Sequence, residues 1–380
     1  MIKTVVQIGF VMLFIALVTT GCWNLEEPDQ RAFVMGTGMD MNKDGKYMLS
    51  TLIAIPSGIG VQEGGSSKKS FQVLSATGKN NTDAAQKLQA QLSRTLFIGH
   101  REIVLIGEKM AEHGIADWID EYFRNPQSEA RSKIFVVKGT QAKNVFQINS
   151  MFDPYITSTL YDEQATLGLR NFYFAAFMYD ALGQGTQPLL PVLTMNRSKH
   201  YVYSGFAVFN KDNGLKLAAY LNPEDAFYTN WIRRRINNYF MTATVPEFGG
   251  TFSIKLRSLN RRIQTSVQGN RVKIDILLSG GGVLVENNTS LDPSLVSHLL
   301  LIQKSLNEQT LKKVEQVVDK AQKQIKLDFF GFGEIVHHQH PAQWKSLRPK
   351  WNVIFPQVEV SVRVNIQCKD LGESNASIYR

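Results

Sequence analysis

The sequence predicts an α+β fold of three consecutive domains, each built from a mixed or antiparallel sheet with packed helices. Two observations carry this prediction. In the first half, strand-like and helix-like segments alternate between residues 71 and 146, which is typical of helices packed on a mixed sheet. In the last third, strands of alternating apolar and polar residues surround residues 293–325, whose apolar positions have helical spacing. With 380 residues and 43% hydrophobic content, the chain is long enough for two or three domains.

The first predicted domain covers residues 22–185. It opens with two apolar-rich segments on either side of an Asn-Lys-Asp-Gly sequence at 42–45, and Asp-Gly in this setting predicts a β-hairpin. A polar loop at 57–70 and a strand at 71–77 are expected to follow. Glu108–Phe123 carries apolar residues at spacings of three and four, so we predict one amphipathic helix there.

A small middle domain is predicted for residues 186–250, and a C-terminal domain for residues 251–372. Two prolines within residues 188–191 mark the first boundary. In the C-terminal domain, strands with one solvated face precede and follow the long helix predicted at 293–325. The apolar positions of these strands are Phe252, Ile254, Leu256, Val272, Ile274, Ile276, Val358, Val360, Val362, Val364 and Ile366.

The amino end has the layout of an export signal. Lys3 supplies the positive charge, an apolar run follows from Val5 to Val18, and small residues precede Cys22. The apolar run has about 14 residues, whereas a spanning helix needs about 20. We therefore predict a signal peptide at residues 1–21 that is cleaved before Cys22, with an uncut transmembrane anchor as the alternative.

Cys22 is the predicted lipidation site. Small residues followed at once by cysteine resemble the lipobox of bacterial lipoproteins, in which the thiol takes a diacylglycerol and the freed amine is acylated after cleavage. Thr19 departs from the aliphatic residue that this pattern prefers, and an ordinary secreted chain is the alternative. Two or more acyl chains give stable membrane attachment. If Cys22 carries lipid, Cys368 has no partner for a disulfide within the chain.

The chain is basic, with a formal net charge of +9. It is therefore expected to be attracted to anionic lipid head groups or to an acidic partner. Nucleic acid is not an expected partner of an exported, anchored chain. The densest basic cluster, at residues 233–235, fits either a partner-facing or lipid-facing patch or, more simply, a solvated face.

No catalytic residue, metal site or cofactor is predicted, and the chain is not expected to be an enzyme. The histidines at 337, 338 and 340 with Glu334 are the only metal-like cluster, but adjacent histidines point in different directions. The glycine-rich segments at 36–38 and 280–282 complete no phosphate-binding motif and are expected to be turns or close packing points. Cys368 lies in no motif that would make it nucleophilic.

The segment from Phe329 to Gly333 combines three aromatic rings with two glycines. Such a composition is unfavourable in a helix interior, so a turn is predicted. Its rings either fill the space between helix and sheet, which we favour, or face a partner.

Several segments together resemble the C subunit of spore germinant receptors, the Ger(x)C family of lipoproteins. The strongest match is Leu327–Glu334, followed in order by His340-Pro341, Trp344, Trp351 and the final valine-rich strand. The resemblance covers nearly the whole mature chain. The further matching segments are residues 21–23, 36–40, 96–101, 188–191 and 205–209.

The resemblance implies three α+β domains and a place at the outer face of the spore inner membrane, held by the lipid on Cys22. It further implies a non-enzymatic subunit that works with integral-membrane A and B subunits in a nutrient-responsive complex. A substrate-binding lipoprotein of an importer is the alternative, but it would need two similar lobes, and the segments are unequal. A wall-active hydrolase would need an acid–base pair, and none is identifiable.

Overall fold

The larger of two sheets is formed by the first half of the chain and has parallel strands at its centre. The computed structural model describes residues 27–56, 70–166, 168–170, 172–198 and 200–371, with scattered positions between 2 and 12. Cys22 and most of the predicted signal peptide lie outside the described residues. None of the helices in the described ranges has both the length and the apolar character needed to cross a membrane.

Nine strands of the described chain make up this larger sheet. They are β1 (Arg31–Met41), β2 (Tyr47–Ala54), β3 (Phe71–Gly78), β4 (Thr95–Phe97), β5 (Ile103–Gly107), β6 (Lys133–Lys138), β7 (Leu189–Met195), β8 (Tyr201–Asn210) and β9 (Lys216–Leu221). Their order is β3-β2-β1-β5-β6-β7-β8-β9, with β4 beside β1. The central β1, β5, β6 and β7 are parallel, and the flanking pairs are antiparallel. The predicted hairpin and the predicted mixed sheet are confirmed.

Helices cover both faces of the larger sheet, as parallel strands require because their crossover connections must pass over the faces. In β5, Val104 and Ile106 pack under one helical layer, and Ile103 and Leu105 pack under the other. The first layer contains α1 (Asn81–Gln89), α2 (Glu108–His113), α3 (Ala116–Arg124) and α6 (Phe174–Leu182), and the second contains α4 (Ala142–Phe146) and α5 (Ile156–Thr166).

The prediction of one helix over Glu108–Phe123 was wrong, because the helix is broken at Gly114. This residue has φ = +114°, and the next two amides donate to the carbonyls of Leu215 and Gly214 at 3.3 Å. The backbone thus leaves the helix to bond with the turn between β8 and β9. A side chain at Gly114 would collide with Gly214, so only glycine fits this approach.

The smaller sheet belongs to the second half and has the order β10-β11-β12-β13 in the described residues. Only β12 and β13 pair in parallel, because several helices connect them. The elements of this half are α7 (Pro223–Ile232), β10 (Tyr239–Thr244), β11 (Thr251–Gln268), β12 (Arg271–Asn287), α8 (Val296–Asp319), α9 (Phe332–Gln339), α10 (Pro341–Leu347), α11 (Trp351–Ile354) and β13 (Glu359–Asp370).

The long helix predicted at 293–325 is α8 with a π-helical continuation at Lys320–Ile325. It ends at Lys326, which is left-handed with φ = +59°. The predicted apolar faces of β11 and β12 are buried with α8 in one core. The two glycine-rich segments lie within β1 and β12, where side chains of neighbouring elements pack closely on them, so the packing prediction is confirmed.

Hydrogen bonding continues across the boundary predicted between residues 185 and 186. Strand β7, which follows this boundary, pairs with β6, and β8 and β9 extend the same sheet. Strand β10 pairs with β11 of the smaller sheet. The described strands therefore divide into two sheets, while the three domain ranges, 22–185, 186–250 and 251–372, stay predictions.

The buried face of α8 gives a direct test of this packing. Leu306 is fully buried, whereas Leu300 on the same helix is 57% exposed. Leu306→Ala is expected to lower the free energy of unfolding by about 2–5 kcal/mol, because it removes apolar contacts and leaves a cavity. Leu300→Ala is expected to change it by less than about 0.5 kcal/mol. Urea unfolding followed by circular dichroism compares the two variants. Equal losses of stability would contradict the assignment of Leu306 to the buried face of α8 and of Leu300 to its exposed face.

Candidate functional site: the junction between the two sheets

Five chain segments meet where the larger sheet adjoins the smaller one, and we call this region the junction. At its centre, the predicted turn at Phe329–Gly333 is confirmed, with Gly331 left-handed at φ = +81°. All three phenylalanine rings are buried, so they fill the core as we favoured. The segments of the junction are residues 183–187, 211–213, 233–235, 328–333 and 344–352.

The carboxylate of Asp328 holds the turn together. One oxygen, Oδ1, accepts the backbone amides of the next residues at positions 330, 331 and 332 at 2.9–3.1 Å. The other, Oδ2, accepts the amide of Gly333 at 2.7 Å and Nε1 of Trp351 at 3.0 Å. Burial raises the pKa of Asp328, and these hydrogen bonds oppose that rise. All five partners are N–H donors, so the site is built for the ionised carboxylate.

Two glycines let the backbones of the two halves touch. A side chain on Gly333 would place its Cβ 2.8 Å from Cα of Gly185 and 2.7 Å from Nε1 of Trp351. The amide of Glu334 donates to the Gly185 carbonyl at 3.2 Å, and the amide of Gln187 donates to the Asp328 carbonyl at 2.8 Å. Main-chain hydrogen bonds thus join the segment before β7 to the turn before α9 and to the first turn of α9.

A buried ion cluster lies beside these hydrogen bonds. Asp180 at the end of α6 pairs with Arg233, and with Arg235 at 2.7 and 3.1 Å. The Arg233 side chain is only 4% exposed and also donates to the Phe329 carbonyl at 2.6 Å. Burial lowers the pKa of Arg233 to about 10, which still leaves the guanidinium charged at neutral pH. The interpretation of residues 233–235 as a solvated or partner-facing patch was therefore wrong for Arg233.

A polar cavity of about 460 Å³ opens beside the cluster. Its wall includes Asp212, which accepts from Gln187 at 3.0 Å and from Asn352 at 2.8 Å. Lys211 also lines it, donates to the Gly183 carbonyl, and has a pKa lowered by burial. Lys345 and Arg348 lie at the exposed rim. The bond from Asn352 to Asp212 joins the two halves, so the cavity wall is itself part of the contact between them.

The remaining residues singled out in the sequence lie elsewhere. His340 directly precedes α10, and its Nε2 is 2.8 Å from the Thr265 carbonyl, while His338 pairs with Glu334 at 3.3 Å. No three metal-ligating side chains cluster in the part of the chain that the structure describes. Burial raises the pKa of the Cys368 thiol, which disfavours the nucleophilic thiolate. The predicted lipidation site, Cys22, is outside the described residues.

Comparison with known proteins places this chain in a family. The model of the spore germination protein N-terminal domain matches residues 24–195. The model of the spore germination B3/GerAC-like C-terminal domain matches residues 204–372. The chain therefore belongs to the Ger(x)C family of spore germination proteins.

Similar proteins span almost the same length. In Bacillus subtilis (strain 168), a putative spore germination protein YfkR is 27% identical, covering 92% of both chains. Spore germination protein KC of the same organism is 24% identical, with 98% of this chain and 97% of that protein covered. Spore germination protein B3 is 22% identical, with 95% and 97% covered.

A solved structure shares the fold. The crystal structure of the GerBC protein superposes with a TM-score of 0.59 at 17% identity. The match covers 91% of this chain and all of that one. The α+β architecture described above is thus shared with the GerBC protein.

The buried ion cluster should be sensitive to loss of its single anion. Asp180→Asn leaves Arg233 buried without a countercharge and is expected to destabilise the chain by about 3–5 kcal/mol. Asp120→Asn, which breaks the exposed pair with Arg124, is the matched control and should leave the unfolding midpoint nearly unchanged. Thermal unfolding measures both, and similar small shifts would contradict the burial of the Asp180 cluster.

The Asp328 carboxylate should not be replaceable by its amide. Asp328→Asn turns an NH₂ group towards N–H donors, so a loss of about 1–3 kcal/mol in the free energy of unfolding is expected. Asp319→Asn, in an exposed pair with Lys323, serves as the control. Chemical denaturation monitored by tryptophan fluorescence is suitable because Trp351 bonds directly to Asp328. Stability equal to that of the unmodified chain would refute the role of the carboxylate.

Proposed function

We propose that this chain is the lipid-anchored, non-enzymatic subunit of a nutrient-responsive germinant receptor complex, required for spore germination. The observation that carries the proposal is the match of both family models, which together span nearly all of residues 24–372. Proteins of similar length and sequence are named spore germination proteins KC, B3 and A3.

The proposed place of the subunit is the outer face of the spore inner membrane, held by lipid on Cys22. Its proposed partners are integral-membrane A and B subunits. The layout of residues 1–21 and the small residues before Cys22 support this placement. Because a covalent anchor confines the chain to the membrane surface, contact with membrane subunits needs less intrinsic affinity than it would in solution.

The character of the junction supports a role through contact rather than catalysis. Asp328 and Asp180 are the buried carboxylates at its centre, and each is bonded to several donors of the chain itself. Groups engaged in this way hold segments in position. They are poorly suited to exchange protons with a substrate, because their partners would be left buried and unpaired.

Deletion of the gene in the producing organism tests the proposal. In a strain that lacks redundant receptors, spores without this chain are expected to lose the response to one set of nutrients and to keep the response to non-nutrient triggers. Complementation with Cys22→Ala should leave the protein outside the membrane fraction and restore germination poorly. Cys368→Ala, which changes the only other cysteine of the chain, should restore it fully.

Normal nutrient germination of the deletion strain would refute the receptor role. Full retention of the Cys22→Ala protein in the membrane fraction would refute the lipid anchor and leave the receptor role standing. Tight binding of a nutrient by the isolated chain, measured by calorimetry, would instead favour a substrate-binding lipoprotein.

A further inference from the structure

The loop between α4 and α5 carries two large apolar side chains in full contact with solvent. Met151 is 86% exposed and Phe152 is 88% exposed, more than any other large apolar side chain for which the structure gives an exposure. We call residues 147–154 the tip. Single exposed apolar residues are common on protein surfaces, but an adjacent Met and Phe at these exposures form a protruding apolar point.

Hydrogen bonds hold the tip in this conformation. The Ser150 hydroxyl lies 2.7 Å from the Thr159 hydroxyl, which donates to Asp153 at 2.5 Å. The amide of Asp153 donates back to the Ser150 hydroxyl at 3.1 Å. The Ser70 hydroxyl, just before β3, donates to the Pro154 carbonyl at 2.9 Å. Met151 and Phe152 therefore lie on a loop whose conformation is fixed by hydrogen bonds.

The exposed surface of the tip carries no charge. Its exposed side chains are Gln147, Asn149, Met151, Phe152 and Pro154. The one ionisable residue, Asp153, is half-buried and bonded inward to Thr159. Removing this point from water therefore requires no desolvation of an exposed charge, which is the main cost of entering a lipid interface.

The tip lies at the end of the larger sheet where the amino-terminal segment joins. Strand β1 begins at Arg31 and pairs with the end of β2, since Val34 lies opposite Ile53. The start of β3 pairs with the same end of β2 and bonds to the tip through Ser70. Strand β1 thus begins about two strand spacings, or roughly 10 Å, from β3, next to which Ser70 bonds to the tip.

The length of the chain limits how far the predicted anchor point can lie from this end. Five peptide units separate Cys22 from Glu27, and a chain of this length spans at most about 18 Å. A lipid on Cys22 would therefore hold the start of β1, and with it the tip, near the membrane surface. The opposite end of β1 is about 35 Å away, because a strand of 11 residues rises about 3.3 Å per residue.

From this geometry we propose that the tip inserts Met151 and Phe152 into the interfacial region of the lipid bilayer. The insertion gives the anchored chain a second point of membrane contact and so sets its orientation. The end of the larger sheet that carries the tip then faces the membrane. The proposal rests on the lipid anchor of the proposed function. The partner is the lipid surface itself, which accepts a small uncharged apolar point without a complementary groove.

A fluorescent label at the tip tests the proposal on the full lipidated protein. In a Cys368→Ser background, Phe152→Cys is labelled with a nitrobenzoxadiazole dye, and the protein is reconstituted on vesicles of phosphatidylglycerol and phosphatidylethanolamine. Lys43→Cys, in the exposed turn at the far end of β1 and β2, is the matched control. The tip label is expected to show a blue shift, a several-fold gain in emission, and quenching by a lipid-borne quencher. The control label should stay water-like.

The outcomes separate the tip from the anchor. If the protein stays on the vesicles while both labels remain water-like, the tip proposal is overturned and the anchor stands. If the protein with intact Cys22 leaves the vesicles, the anchor itself fails and the insertion fails with it. A blue shift of the label at position 152 that appears only when the integral-membrane subunits are added would identify a protein partner and overturn the lipid contact. A label at Asn149→Cys that loses its blue shift in a Met151→Ser and Phe152→Ser background would support insertion.

Discussion

Asp180 lies between two guanidinium groups at the point where the two sheets meet. It lies in the last turn of α6 on the larger sheet, whereas Arg233 and Arg235 follow α7, which leads into the smaller one. A buried cation without its anion is costly, so the two helix ends cannot separate or rotate independently. Arg233 also donates to the Phe329 carbonyl, which lies in the turn held by Asp328. Asp328 in turn accepts from Trp351, and the turn leads into α9.

Much of the fold was predictable from local patterns. Alternation of apolar and polar residues predicts strands in the second half. Asn followed by Pro is typical of a helix start, and at the start of α7 the Asn222 side chain accepts the Asp225 amide at 2.8 Å. The break at Gly114 was not predictable, because the apolar periodicity continues through it. The break depends on hydrogen bonds to Gly214 and Leu215, about a hundred residues away, and tertiary contacts of this kind leave no mark on a helical pattern.

The candidate site, too, was predictable from the sequence only in part. The Phe329–Gly333 turn was predictable, since glycines among aromatic rings are incompatible with a helix interior. The signal for Asp328 was present as well, because a short carboxylate before a glycine-rich turn commonly accepts the following amides. Nothing near Arg233 distinguishes it from its solvated neighbour Arg234. Its burial is decided by Asp180, which is 53 residues away.

The contact between Gly185 and Gly333 has a mechanical meaning. Where side chains separate two backbones, a displacement is partly absorbed as rotamers adjust, but here main chain lies against main chain. The two sheets are therefore joined at this point with no side chain between them to absorb a displacement. A single methyl group placed between the two glycines would force the main chains apart and so weaken the connection between the two sheets.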